Sequence, residues 1–252
     1  MISDFVRGAR YAMSGFKLMT RPQIRTFVAI PLFINIAIFA SIFFLVQGQI
    51  DILITVLMSY LPGWLDWISW FVLALFYILF LVITFYTFTL IANLVGSPFN
   101  SVLSEKLEEQ LSGYKAPSSG RVLDSVLGIR KAVFAEFRKL GYLIGWSVIL
   151  LILTFIPPIT VISTFLWFLF GAWMLSLEYM DYPMGNHNID FAEQRKRQRI
   201  NRPMSMGFGC VLMLFTMIPF LNFFVMPAGV AAATRLWVDE YSINRNVKKP
   251  KA

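Results

Sequence analysis

The sequence predicts an all-α integral membrane protein with two full transmembrane helices, two re-entrant helical hairpins that penetrate part of the bilayer, and an N-terminal amphipathic helix. Three observations carry that expectation. The 252-residue chain is 58% hydrophobic and only 14% charged, whereas a soluble domain carries about 25% charged residues. Its 22 Lys and Arg residues, Arg235 apart, fall in four clusters at Arg7 to Arg25, Lys106 to Lys139, Arg195 to Arg202 and Arg245 to Lys251, separated by long apolar tracts. Short cytoplasmic segments collect Lys and Arg, so all four clusters belong on one face, and the chain leaves that face and returns three times. Finally, prolines interrupt both apolar tracts of the second half, cutting them into pieces that are marginal or too short for a full crossing.

The whole chain, 1–252, reads as a single membrane domain. In residues 1–26, Phe5, Tyr11 and Met13 among Arg7, Arg10 and Lys17 predict an amphipathic helix lying in the membrane interface, closed near Gly15 and followed by a basic loop. This stretch has no uninterrupted apolar core and no Ala-x-Ala-like cleavage site, so it is not expected to be a signal peptide. Residues 27–46 form the first span: 20 consecutive uncharged residues make about 30 Å of helix, the thickness of the hydrocarbon. The connector from Gln47 to Asp66 carries Asp51 and Asp66 but no basic residue, and Trp64, Trp67 and Trp70 form an interfacial belt on the far side. Residues 68–92 form the second span. In 93–140, the break at Gly96-Ser97-Pro98-Phe99-Asn100 precedes amphipathic cytoplasmic helices.

The first hairpin is expected over 141–182, its tip at Pro157-Pro158, since two adjacent prolines end a helix. The second, over 207–241, has arms on either side of the Pro219 to Pro227 segment that reach about 15 to 18 Å and cannot span. The two tracts share an order of features. Each has a basic lead-in, a Thr-x-Ile-Pro break (Thr154 to Pro157 and Thr216 to Pro219), an apolar second arm and an acid-and-tyrosine end, which reads as a structural repeat. Residues 242–252 are a basic tail.

Enzyme chemistry is not expected. One histidine, His187, and one cysteine, Cys210, supply neither a His-paired nucleophile nor a metal cluster, and no nucleotide-binding glycine pattern occurs. No cofactor and no metal are implied. His187 reads as an interfacial hydrogen-bonding residue and Cys210 as a small buried hydrophobe. The net charge of +8 reflects anionic lipid and topology rather than nucleic acid.

The best anion-site candidate is the segment from Ser14 to Arg25. Gly15 would let backbone amides approach a ligand, Lys17, Arg21 and Arg25 supply charge, and the following helix points its N-terminal amides the same way. The plainer reading is that these cations are positive-inside anchors. Polar candidates near the apolar half are Asn35, Asn93, Ser97 and Asn100. Glu105, Glu108 and Glu109 read as a solvated face or as partners for Arg130, Lys131 or Arg138.

With those residues laid out, the chain resembles the CysZ family of bacterial inner-membrane sulfate transporters over nearly its whole length. The resemblance rests on SGFKLMTRPQIRTFVAIPLFIN at 14–35, NLVGSPFNSVLSEKLEEQL at 93–111, LWFLFGAWMLSLEYMDYPMGNH at 166–187 and FTMIPFLNFFVMPAGVAAATRLWVDEY at 215–241. It implies a multi-pass protein of the bacterial inner membrane, a homo-oligomeric channel or permease without its own ATPase, importing sulfate for assimilation into cysteine. Sulfite and related oxyanions are chemically similar cargo. It also implies sulfate contacts at Gly15, Phe16, Lys17, Leu18 and Arg25. Relatives commonly carry two adjacent arginines where this chain has Arg25-Thr26, and Arg21, about one helical turn away, is the candidate for the missing charge. A non-transporting membrane scaffold or assembly factor is the alternative, because hydrophobic hairpins need no pore.

Overall fold

The computed structural model describes residues 1–22, 24–60, 69–113 and 126–242, and every regular element among them is helical. The elements are α1 (Ile2–Met19), α2 (Arg25–Ser59), α3 (Ser69–Ser112), α4 (Val126–Thr154), a 3-10 turn (Pro157–Ile159), α5 (Thr160–Asn186), α6 (Phe191–Ile200), α7 (Arg202–Thr216), α8 (Pro219–Leu236) and a π-helical turn (Trp237–Tyr241). Packing divides them into two units, one of Phe27–Phe99 and one of Met1–Thr26 with Asn100–Ala252.

The first of these units holds most of α2 and of α3, and both helices are longer than the spans expected from sequence. α2 does not stop at Val46. The run from Gln47 to Ser59 contains no proline and one glycine, Gly48, which costs a helix only about 1 kcal/mol, so the expected connector is helical to Ser59. Phe33, Phe44, Trp70 and Leu81 are exposed, as surfaces facing lipid or other chains are. Trp64 and Trp67 of the expected aromatic belt lie outside the described residues, as does the tail beyond Ser242. The break expected at Gly96 to Asn100 is also absent, because α3 runs through Pro98. A proline is tolerated inside an apolar helix when neighbouring groups satisfy the carbonyl it strands.

The second unit is built around α8. From Ala228 to Thr234 every residue of this helix is buried, four of the seven being alanines. α1, α5 and α7 pack around it, and glycines let α1 meet α8, and α7 meet α1 and α5, at backbone distance. A Cβ on Gly15 of α1 would stand 1.9 Å from the Ala228 carbonyl oxygen, one on Gly207 of α7 would stand 2.0 Å from the Phe5 oxygen, and one on Gly209 would stand 1.9 Å from the Ala172 oxygen of α5. The face α1 buries is therefore Gly8, Ala12, Gly15 and Leu18, a small-residue stripe of the kind that draws membrane helices together. This corrects the expectation that α1 closes near Gly15. It continues to Met19 and runs alongside α7, with Phe5 at Gly207 and Phe16 edge-on to Phe215.

Both helical hairpins turn at their Ile-Pro steps, and the two turns share a backbone conformation. Ile156 has φ −89°, ψ 108° and Ile218 has φ −97°, ψ 111°. The proline that follows forces the preceding residue out of the helical region and then starts a new helix, where its missing N–H has no partner to lose. The arms of the first hairpin are joined by a Trp167 indole N–H donating to the Thr154 hydroxyl at 3.2 Å, a Trp173 indole donating to the Tyr142 hydroxyl at 3.1 Å, and a Lys139–Asp181 ion pair of 2.6 Å. Pro227, expected to delimit an arm, instead lies inside a continuous α8.

The hairpins differ in reach. Phe137–Thr154 and Pro157–Asn186 are long and apolar enough to cross a membrane, longer than the arms read from sequence because α4 begins well before Gly141. In contrast, α7 has 15 residues, or about 22 Å. α5 lies antiparallel to α7, with Ala172 against Gly209 and Gly171 against Met213, so the first hairpin projects about 8 to 12 Å beyond the second. Phe155, Val161 and Phe165 on that projection are 79%, 72% and 68% exposed.

Replacing Gly15 with Ala should destabilise the protein by about 1–3 kcal/mol through overpacking. Gly145→Ala, where a Cβ meets nothing within 4 Å, should be neutral or stabilising by about 0.5–1 kcal/mol. Thermal unfolding of the two variants in detergent measures the contrast, and equal midpoints would refute the backbone contact.

Candidate functional site

At the junction of α1 and α2 the chain makes one tight corner. The Arg21 amide donates to the Leu18 carbonyl at 3.2 Å, and the Ile24 and Arg25 amides donate to the Arg21 carbonyl at 2.9 Å each. Ile24 is fully buried and Leu18 nearly so, which pins the corner and leaves Lys17, Arg21 and Arg25 outside. These three cations are exposed and, among the described residues, have no ion-pair partner, as is also true of Arg10, Arg199 and Arg202. α2 begins at Arg25, whose amide is already committed to the Arg21 carbonyl, so the side chains of Lys17, Arg21 and Arg25 are what the corner offers outward.

The other expected contacts are placed differently. Gly15, Phe16 and Leu18 lie within α1 rather than in a loop, and packing occupies them: Gly15 against Ala228, Phe16 against Phe215, and Leu18 in the core. A helical glycine already commits its amide to the carbonyl four residues back, so Gly15 offers no free N–H to a ligand.

The polar candidates divide as well. Asn35 and Asn93 fall within α2 and α3, and their side chains lie outside the described residues. Ser97 is exposed, Glu105 half-buried and Asn100 buried. Asn100 opens a stripe along the end of α3 that sequence alone did not reveal. Ser101 donates to the Asn186 side-chain oxygen at 2.7 Å while the Asn186 amide donates to the Ser101 carbonyl at 3.1 Å. Ser104 accepts from Thr234 at 2.8 Å.

One turn further, Glu108, expected on a solvated face, is 3% exposed. Its Oε1 accepts from the Trp237 indole at 3.0 Å and from His187 Nε2 at 2.7 Å, and the His187 and Trp237 rings are in contact at 5.0 Å. Its Oε2 is buried with no partner among the described residues. The signal available in the sequence was Trp237 itself, since a tryptophan in an apolar tract requires an acceptor for its N–H. Of the other acids, Glu109 pairs with Lys106 at 3.2 Å, and the side chains of Arg130 and Lys131 lie outside the described residues.

A second tie holds α1 to the π-helical turn. Arg7 pairs with Glu240, and the Tyr11 hydroxyl donates to Glu240 at 3.1 Å. Burial first, then the charges of Asp239 and Glu240, push the Tyr11 hydroxyl well above the ordinary tyrosine range, so it remains a donor. Among the described residues no group of His, Cys, Asp and Glu is arranged to hold a metal ion.

Apolar helices long enough to cross a bilayer, a cationic corner at the start of a long apolar helix and a buried polar stripe define a helical membrane protein. The chain belongs to the Sulfate transporter CysZ/Etoposide-induced protein 2.4 family, whose profile matches residues 11–227. The match takes in the cationic corner, Glu108 and His187, and it ends at Pro227, ten residues before Trp237.

Truncating His187 to Ala leaves the Glu108 carboxylate buried with one donor fewer, which should cost about 1–3 kcal/mol of stability. Glu108→Gln, which keeps a carbonyl acceptor for Trp237, should cost less than Glu108→Ala. Chemical denaturation followed by Trp fluorescence ranks the three variants; a Glu108→Ala protein as stable as wild type would remove Glu108 from the structural core.

Proposed function

We propose that this protein is a sulfate channel or permease of the bacterial inner membrane. In this reading it works as a homo-oligomer, imports sulfate for incorporation into cysteine, and uses the cationic corner of Lys17, Arg21 and Arg25 as its anion contact. The observation that carries the reading is membership of a family described as sulfate transporters, across a match that includes this corner. The chemistry is in keeping with it. A doubly charged oxyanion leaving water needs charge-assisted hydrogen bonds, and guanidinium forks provide them at about 1.5–3 kcal/mol per charged bond. Among the described residues, Lys17, Arg21 and Arg25, unlike Arg7 and Lys139, do not spend their charge on a neighbouring carboxylate.

In the same reading the longer hairpin enters the bilayer from the basic side and returns to it, while the shorter one remains within the membrane. Both bases carry ion pairs and cations, Lys139 with Asp181 in one and Arg7 with Glu240 in the other. Single cysteines at Leu140 and Tyr182 in a Cys210→Ala background should therefore label from the same side with a membrane-impermeant thiol reagent. Labelling from opposite sides would make the tract one crossing and the hairpin proposal wrong.

Sulfate uptake by proteoliposomes containing only this protein is the direct test, and a non-transporting scaffold predicts none. For the corner, Arg25→Ala should lower sulfate affinity about 10 to 150-fold, and Arg25→Lys should recover only part, because lysine offers a point charge where arginine offers a two-pronged donor. Unchanged sulfate titration curves for both variants would reduce Arg25 to a topological anchor.

A further inference from the structure

α6 is amphipathic in an unusual sense. Its buried side is Phe191, Gln194 and Gln198, and its outward side is Ala192, Lys196, Arg199 and Ile200, continued by Arg202 at the start of α7. Asp190 caps its N-terminus, accepting from the Glu193 amide at 2.8 Å, and Glu193 holds Arg197 at 3.0 Å. The inward residues are fixed: the Gln194 amide donates to Asp181 at 2.7 Å, Gln198 accepts from Ser176 at 2.8 Å, and the Arg195 guanidinium lies 4.6 Å from the Tyr142 ring centre. The helix cannot roll to hide its outer side.

That outer side combines exposed cations with an exposed isoleucine. Arg199 and Arg202 are exposed with no acidic partner among the described residues, Lys196 is 78% exposed with Glu193 only at 3.9 Å, and Ile200 is 82% exposed among them. A second exposed isoleucine lies at the same end of the bundle. α1 runs parallel to α7, with Gly8 between Met204 and Phe208 and Phe16 at Phe215, which brings Ile2, 83% exposed, to the end of α7 that starts at Arg202. α6 itself joins α5 to α7, at the bases of both hairpins and opposite their proline tips.

We propose that the Lys196, Arg199, Ile200 and Arg202 surface is a binding site for anionic phospholipid, with the cations on headgroup phosphates and Ile200 inserted at the acyl boundary. The inference rests on reading the hairpins as membrane-embedded, which places α6 at headgroup level. Charge complementarity selects the lipid: cations near a membrane surface each contribute favourably to anionic lipid binding, and an exposed isoleucine among them gains by leaving water. A soluble acidic partner would satisfy the cations but would leave Ile200 unexplained unless it brought an apolar pocket. The lipid supplies both groups at once.

The test uses full-length protein in neutral detergent, titrated with fluorescent phosphatidylglycerol or phosphatidylcholine. Wild type should prefer phosphatidylglycerol, with the preference falling as salt rises, and excess inorganic phosphate should not displace the lipid. Lys196→Gln/Arg199→Gln/Arg202→Gln should lose about 100-fold in phosphatidylglycerol affinity with little change toward phosphatidylcholine. Arg199→Lys/Arg202→Lys should retain the preference, which guards against a merely misfolded triple variant. Ile200→Ser should weaken both lipids. Undiminished phosphatidylglycerol binding by the triple variant, or displacement by free phosphate, would overturn the proposal. Flotation with pure phosphatidylcholine vesicles separates the two readings: wild-type protein that fails to float contradicts membrane embedding, whereas protein that floats but lacks the lipid preference contradicts this site alone.

Discussion

The structure of the larger unit depends on helices meeting backbone to backbone. Hydrocarbon surroundings provide no hydrophobic drive for apolar helices to associate, so close van der Waals packing must hold them. Here Gly8 and Gly15 of α1, Gly207 and Gly209 of α7 and Gly229 of α8 each stand where any side chain would collide with a neighbouring helix. Removing the side chain lets α8 be enclosed by three partners, and the alanines from Ala231 to Ala233 fill what little space remains. The cationic corner inherits its position from this contact, because Leu18 and Ile24 are anchored in the same core.

Polar order is layered on top of that packing. The stripe of Asn100, Ser101, Ser104 and Glu108 docks the end of α3 through groups that would be costly to bury alone, and Ser101, Ser104 and Glu108 each have at least one partner. Glu108 is the most demanding of them, a nearly inaccessible carboxylate received by an indole and an imidazole. A π-helical turn at Trp237 to Tyr241 presents the indole on one side and Glu240 to Arg7 and Tyr11 on the other, so two separate attachments of the bundle pass through five residues.

Helix content and the two Ile-Pro turns could be read from the sequence because proline acts locally: it constrains its predecessor and removes a donor whatever the tertiary setting. Charge distribution was similarly legible. Helix ends were not. Gly15, Pro98 and Pro227 looked like terminators, yet α1, α3 and α8 continue through them, since tertiary contacts decide whether a weak breaker ends a helix. In the candidate site, the exposed cations Lys17, Arg21 and Arg25 were identifiable from charge alone, whereas the roles of Gly15, Phe16 and Leu18 depended on α7 and α8, more than 190 residues away along the chain. Glu108 escaped for the same reason, its partners being contributed by two other segments.

The Pro157-Pro158 pair also determines which solvent the first hairpin's tip tolerates. A new helix normally exposes its first four amides, and in hydrocarbon each unpaired one costs several kcal/mol. At this tip Pro157 and Pro158 have no N–H to expose, the Ile159 amide donates to the Ile156 carbonyl at 2.9 Å, and the Thr160 amide donates to the Pro157 carbonyl. No donor is left over. The turn is thus self-contained with respect to N–H groups and needs neither water nor a partner chain to sit at depth, which suits the hairpin that reaches farther. At the second tip Pro219 removes one donor and the Asn222 amide bonds the Ile218 carbonyl at 2.9 Å, a smaller saving on the hairpin that stops short.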